Sequence, residues 1–503
     1  MFSNLPNWTR QLSLVPIILF FCFSTLANET PAATVIKAAD LQTDLAVLRK
    51  AYEEMHPGLY RYNTKAEMDA HFGALKSELN RDQTLREAYL AISLFLAKIK
   101  CGHSYANFYN QPKSVVEELF KGQTRVPFYF RWIEKRIIVS KNFSTDPRLK
   151  PGTEVLTIND TPVKVILDKL MQVARADGSN DGKRVNYLDV TGTDNYEAFD
   201  VFHPLFFPFK STTIDLTIRQ EKSLKPAKVA VTALTYEERL TPIKAGVEAV
   251  RDSEAVFEFK YLDEKTAYLR MPTWGLYNSK WDWKKYLKGV FDELALEKTA
   301  NLIVDIRENE GGNDIGDEVI SRLIDKELMV EAAQRFVRYR KASADLEPYL
   351  DTWDPSFKDW GSDATESGNG FYKLSRFDDE KGAKVFQPAG PRFEGKTFVL
   401  VSATNSSATF QFAQIVKQNK LATLVGQTTG GNQRGINGGA FFFLRLPNSK
   451  IEVDLPLIAA FPKDVPDAGV EPDIYVRQSI ADIAAGRDSE LEATLAAIRS
   501  KSR

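Results

Sequence analysis

The chain has 503 residues, 43% of them hydrophobic and 26% charged, enough to bury more than one core and to divide into two or three domains. With 66 Lys plus Arg against 67 Asp plus Glu, no global basic field exists to hold nucleic acid or an anionic membrane, and those partners are excluded.

At the N-terminus, Arg10 precedes an apolar run from Leu12 to Phe23 broken only by Ser13 and Pro16, followed by Ser24-Thr25-Leu26-Ala27. This is the layout of a signal peptide, residues 1–27, with small residues where a signal peptidase reads. The expectation is export across the inner membrane to the periplasm, with no stable membrane insertion after cleavage. The rival reading is an uncleaved anchor. Phe21 before Cys22 is too bulky for lipoprotein processing. After cleavage Cys101 is the only cysteine, so neither an internal disulfide nor a cysteine metal cluster can hold the fold.

Next comes a helical domain, expected over 34–110. Leu41, Leu45, Leu48, Tyr52 and Met55 recur at helical spacing until Pro57-Gly58, and Thr64 with Glu67 and Thr84 with Glu87 have the spacing of capping boxes. From 120 to 240 short alternating runs, such as Phe128 to Trp132, Ile137 to Val139 and Thr213 to Ile218, predict a β domain. Within it, the stretch from Leu149 to Val163 resembles the part of a PDZ domain that ends in an Ile-Asn-Gly turn. The carboxylate-binding Gly-Leu-Gly-Phe loop that should precede it is not visible. Residues 250–490 alternate strand and helix patterns, as α/β layers do, with strands at Leu302 to Ile306, Phe398 to Val401 and Ala422 to Val425 and a helix over Ser406 to Lys420. Residues 340–395, rich in Asp, Ser, Gly and Pro, predict a long surface insertion.

Two turns in the third segment carry chemistry. Strand, turn and helix follow one another from Phe398, through Ser402 to Asn405, into Ser406-Ser407-Ala408. That places a hydroxyl where unpaired helix amides favour negative charge, and the Ala408 amide could be half of an oxyanion hole. The alternative is simple N-capping by either serine. The run from Asp305 to Asn313 leaves a strand for a turn containing Gly311 and Gly312, whose amides could supply the second donor.

The run Asp305-Ile306-Arg307-Glu308-Asn309-Glu310-Gly311-Gly312 resembles the Asp-Leu-Arg-x-Asn-x-Gly-Gly signature of the tail-specific (C-terminal processing) serine peptidases, family S41. Asn405-Ser406-Ser407-Ala408 is similar to that family's nucleophile turn, Val425 to Gly431 to its Gly-Glu-x-Thr-x-Gly block, and Gly469-Val470-Glu471-Pro472-Asp473 to a fourth block. The resemblance covers most of 255–476. It implies an α/β, ClpP/crotonase-like core carrying the helical domain and the PDZ-like β domain, and a polypeptide substrate. It also implies Ser407 as nucleophile, since that serine directly precedes the alanine, with Ser406 as fallback. Asn432 stands where one branch carries its catalytic lysine, so a Ser-Lys dyad is not expected.

Cys101-Gly102-His103-Ser104-Tyr105 resembles the histidine motif of the branch related to tricorn protease. The implied roles are His103 as general base, oriented by Asp467, with Glu471 and Asp473 as competitors, and Ala408 with Gly311 or Gly312 as the oxyanion hole. For His56, His71 and His203, packing or surface roles suffice. No metal-ligand spacing, phosphate loop or dinucleotide fingerprint occurs, so neither metal nor cofactor is expected. Rival readings are a non-catalytic peptide- or ligand-binding relative and an esterase using the same site. The sequence leaves a homo-oligomer open.

Overall fold

The computed structural model of the protein describes residues 33–500 apart from 221, 222, 224, 243–255, 278 and 378–382, so the expected signal segment lies outside the described residues. The helical region opens with Ala38–Met55, which buries all five residues of the predicted stripe. Helices Lys65–Glu78 and Leu85–Lys98 start on complete capping boxes at Thr64/Glu67 and Thr84/Glu87. In each, hydroxyl and carboxylate satisfy first-turn amides reciprocally, which fixes where the helix begins.

The β region is an antiparallel sheet in the order Phe128–Ile133, Arg136–Asn142, Glu154–Ile158, Thr213–Arg219, Ala227–Thr232. The free edge of its first strand is covered. Phe130 exchanges backbone bonds of 2.8 and 3.1 Å with Val190, and the Trp132 N–H donates to Asp189 Oδ1 at 2.7 Å. An incoming peptide therefore finds no open strand edge there to extend. Below the sheet Arg239 and Asp200, 2% and 4% exposed, form a two-point ion pair of 2.8 and 3.2 Å.

The α/β core is built on a sheet ordered Ile474–Tyr475, Thr423–Gly426, Lys396–Val401, Asn301–Asp305, Thr266–Arg270, Glu258–Asp263. Its neighbours run parallel except for the last pair. Asn301–Asp305 is buried throughout, as a central parallel strand covered on both faces must be. Leu302, Val304, Val399 and Val401 pack under helices Trp283–Leu296, Gly316–Leu323 and Ser407–Gln418, while Ile303, Phe398 and Leu400 face the other way, toward Ile498 of helix Ser489–Ser500. The fold is α/β with a helical N-terminal region.

Residues 340–395 do not form the surface insertion that their composition suggests. Leu350–Asp351, Ala364–Gly368 and Phe371–Leu374 join a six-stranded sheet with Phe336–Val337, Asn437–Arg445 and Glu452–Ala459, and they bury Leu346, Phe357, Trp360 and Leu374. The polar and turn-forming residues mark the corners between short strands, and the few large apolar residues supply the core. This sheet shares its core with the N-terminal helices. The Tyr52 hydroxyl donates to the Asp454 carbonyl at 2.8 Å, and both Asp44 oxygens accept backbone amides, from Asn448 and Ser449, at 2.8 Å. That docking brings the loop after helix Leu85–Lys98 back beside the α/β core.

Replacing Arg239 by Ala leaves the Asp200 carboxylate buried without its partner. The expected loss is about 3–5 kcal/mol of stability in urea unfolding, and an Arg239→Met/Asp200→Leu double variant is expected to lose much less.

Candidate active site

Both signature turns lie at the carboxyl ends of neighbouring parallel strands, the usual place for a site in an open α/β sheet. The chain leaves Lys396–Val401, turns through 402–405 and enters helix Ser407–Gln418. Ser407 has φ of 48°, in the left-handed region that costs a residue with a Cβ roughly 1–2 kcal/mol. Ser406 occupies the N-cap position, and its side chain makes no capping bond. Ser406 is therefore not a side-chain N-cap. Ser406 is buried, whereas Ser407 is half-buried and lines the cavity described below.

Two asparagines and a threonine, all fully buried, sew this turn to the other one. Asn405 accepts the Ser402 N–H at 2.8 Å and donates to the carbonyls of Ile306 at 2.6 Å and Asn309 at 2.9 Å. Thr409 Oγ1 donates to the same Asn309 carbonyl at 3.0 Å. Asn309 donates to the Met271 carbonyl at 2.9 Å and accepts the N–H groups of Trp274 and Gly311, both at 3.1 Å. Arg307 ties the strand end to the C-terminal helix through Asp305 and Asp488.

The glycines are required by space. A Cβ on Gly311 would lie 2.9 Å from the Ser407 Cβ, and one on Gly312 would lie 2.3 Å from the Trp274 carbonyl. Their φ values, 135° and 133°, disfavour any other residue. The two are not equivalent as donors. Gly311 gives its N–H to Asn309. Gly312 pairs with Trp274 as a parallel bridge whose bond, 2.9 Å, comes from Asn313, so the Gly312 N–H itself stays available. Ala408, in the first helical turn, has an N–H with no acceptor inside the helix.

His103 sits on a loop held from the 175–178 segment. The Gly178 N–H donates to the Lys100 carbonyl at 2.9 Å, the Gly102 N–H to Asp177 Oδ1 at 2.9 Å, and Arg175 to the Gly102 carbonyl at 2.8 Å. His56, fully buried, fixes the far side through a 2.8 Å bond with Ser104 Oγ. The His103 ring packs on Phe441 with centroids 5.6 Å apart. It lines the same large cleft as Ser407, Ala408, Gly311 and Gly312. No hydrogen bond joins His103 to Ser407. Its Nδ1 is buried without a partner among the described residues. Burial lowers its pKa, Asp177 and Glu310 oppose that, and Arg175 and Lys183 reinforce it.

A charged network that the sequence did not reveal supports the oxyanion turn. Glu310, just before Gly311, binds Lys183 at 2.6 Å and Arg175 at 3.0 Å. Although burial opposes it, these two cations hold the carboxyl well below its usual range. Lys183 also donates to the Thr404 carbonyl at 3.1 Å, and Arg175 lies between the rings of Tyr105 and Tyr187, 4.5 and 4.8 Å away. One ion-pair cluster thus touches the nucleophile turn, the oxyanion turn and the histidine loop.

The predicted orienting acid is placed elsewhere. Asp467 accepts from the Ser179 N–H at 3.0 Å, the Ser179 hydroxyl at 2.9 Å and Asn432 at 2.6 Å, and it makes no hydrogen bond with His103. Its competitors are also engaged: Glu471 by Thr428, Asp473 by Lys417 and the Leu424 N–H. His56 and His203 are buried, and burial lowers both pKa values to about 3. Burial pushes the Cys101 thiol up to about 11, which makes it a poor nucleophile.

A strained serine at a helix N-terminus, set against a glycine turn in an α/β core, is the arrangement of a serine peptidase. Residues 265–476 match the model of peptidase family S41. Among solved structures it is similar to mature CPAF complexed with lactacystin, at 14% identity over 89% of this chain and 95% of that one, with a TM-score of 0.60. It is also similar to mature CPAF alone, at 14% identity over 89% and 94%, with a TM-score of 0.56. At this identity the likeness shows a shared fold. No curated protein matches the sequence.

Changing Asn405 to Ala removes the clasp between the turns. The expected results are a loss of roughly 1–3 kcal/mol in thermal or urea unfolding, from buried groups left unpaired, and a greater than tenfold drop in the rate at which Ser407 takes an electrophilic probe.

Proposed function

We propose that the chain is an exported, periplasmic serine peptidase that cleaves peptide bonds through an acyl-enzyme on Ser407, with His103 as general base. Ser407 Oγ attacks the scissile carbonyl while His103 Nε2 takes its proton. The N–H groups of Ala408 and Gly312 hold the oxyanion, with Gly311 packing the turn against the serine. His103 then returns the proton to the leaving amine, and water repeats the sequence to release the acyl group. The observation that carries this reading is the left-handed Ser407, held against Gly311 on the wall of the cavity that His103 also lines. Backbone strain of this kind at a half-buried serine on a cleft wall suits a nucleophile.

The shape and lining of the cleft favour a polypeptide over a small ester. The cleft is long and open and is lined by residues of all three regions of the chain, as an extended substrate requires. Beside His103, Phe441 packs on Trp353, which is 58% exposed and also meets Phe443, a wall suited to apolar side chains of an extended substrate. The antiparallel module serves as the PDZ-like domain of this architecture, without strand addition at its covered first edge. The core is the ClpP/crotonase-like element. Asp467 acts from one residue further out than the sequence suggests: Asn432 links it to the Asp177 carbonyl, at 3.2 Å, and so to the segment that holds the histidine loop. Export rests on the N-terminal sequence alone. Among the described residues no helix is long and apolar enough to cross a membrane.

Intact-mass measurement after a fluorophosphonate probe tests the proposal. Wild type is expected to gain one adduct, Ser406→Ala to keep it, Ser407→Ala to lose it, and His103→Ala to slow it by about 10²–10⁴-fold. A wild type that stays unlabelled while a reference serine hydrolase is modified would instead support the non-catalytic binding reading. Adducts with fast ester turnover and no peptide cleavage would support the esterase.

A further inference from the structure

The geometry points to Asp177 as the carboxylate that orients His103, its Oδ2 accepting the Nδ1–H, in the role that the sequence gives to Asp467. This rests on the reading of His103 as the base. Two buried atoms without partners carry the assignment. His103 Nδ1 and Asp177 Oδ2 are both sealed from solvent, and neither has a hydrogen-bond partner among the described residues. The carboxylate oxygen can only accept, and Nδ1 becomes its complement in the tautomer that carries the proton there. Each left alone costs roughly 1–3 kcal/mol, more for the ionised carboxylate.

No hydrogen bond joins them in this structure, but their segments are bonded to each other. Asp177 is 2% exposed, and its other oxygen accepts the N–H of Gly102, the residue just before His103. A Cβ on Gly102 would lie 2.9 Å from Oδ2, so glycine at this position leaves room for the carboxylate against the histidine loop. Gly178 and Arg175 bond to the same loop on either side, and Asn432 holds the Asp177 carbonyl. The alternatives are occupied: both Glu310 oxygens by Arg175 and Lys183, both Asp467 oxygens by Ser179 and Asn432.

Among the described residues His103 Nε2 has no hydrogen-bond partner, yet it is not sealed from solvent as Nδ1 is, so it is the ring nitrogen that faces the cavity. With Nδ1–H given to Asp177, the lone pair sits on Nε2, the nitrogen that must accept the serine proton, and the imidazolium formed in the reaction faces a negative charge. Asp177 takes no proton. It is a positioning residue. The other charged groups acting on the ring are Glu310, which works in the same direction as Asp177, and Arg175 and Lys183, which oppose it.

Asp177→Asn tests the assignment, because its amide oxygen can still accept from Gly102 while its NH₂ would donate to Nδ1 and impose the wrong tautomer. Nitrogen-15 spectra of the full chain labelled at its four histidines read the ring directly. The expected wild-type His103 is neutral at pH 7 and protonated on Nδ1. In Asp177→Asn the tautomer changes, the His103 pKa falls because a carboxylate that raised it is gone, and fluorophosphonate labelling slows about 10²–10⁴-fold while the unfolding midpoint moves little. A wild-type ring protonated on Nε2 overturns the assignment without any variant being needed. So does an Asp177→Asn protein that labels within threefold of wild type with an unchanged His103 pKa, or an Asp467→Asn protein that loses more. If wild type takes no probe at all, the peptidase reading fails separately, and the tautomer still decides the pair.

Discussion

The site depends on the clasp formed by Asn309, Asn405 and Thr409. Each half of the proposed catalytic surface is a loop leaving a parallel strand, and loops carry backbone groups that strand pairing no longer satisfies. Here those groups are met by the opposite loop. Asn405 reaches across to two carbonyls of the oxyanion turn, Thr409 to one of the same two, and Asn309 braces its own turn against Met271 and Trp274. Because all three side chains are fully buried, their bonds are made in a low-dielectric interior where leaving one unmade is costly. That rigidity is what can hold Ser407 in a left-handed conformation.

The proposed general base comes from a different part of the fold. His103 belongs to the helical region, which reaches the α/β core only because its helices share a core with the second sheet and because residues 175–183 bind the histidine loop on one side and Glu310 on the other. The proposed nucleophile, oxyanion turn and base therefore sit on three segments that meet at one ion-pair cluster. A displacement of the 175–183 segment would move the base and loosen the oxyanion turn together, which links the antiparallel module to the chemistry without any contact of its own with the reacting atoms.

The local parts of this arrangement were legible in the sequence. Capping boxes read as Thr-x-x-Glu start their helices where expected, the buried strand from Leu302 appears one residue earlier at its start, and the two signature turns lie side by side at the ends of adjacent parallel strands. What was not legible depends on residues far apart in the chain. Asp177 and Gly102 are 75 residues apart, Lys183 and Glu310 127. In sequence, Arg175, Asp177 and Lys183 resemble any polar loop and short helix. Residues 340–395 were misread for a related reason: their turn-rich composition reflects many corners, and the burial of Trp360 and Phe357 depends on strands from Asn437 onward that composition cannot pair with them.

The most direct test of the account is a crystal structure of the protein with a peptide boronic acid, which mimics the tetrahedral intermediate. Boron bonded to Ser407 Oγ, with one boronate oxygen within hydrogen-bonding distance of the Gly312 and Ala408 N–H groups and another near His103 Nε2, is the result predicted. Boron on any other side chain, or an oxygen directed away from both amides, would contradict it.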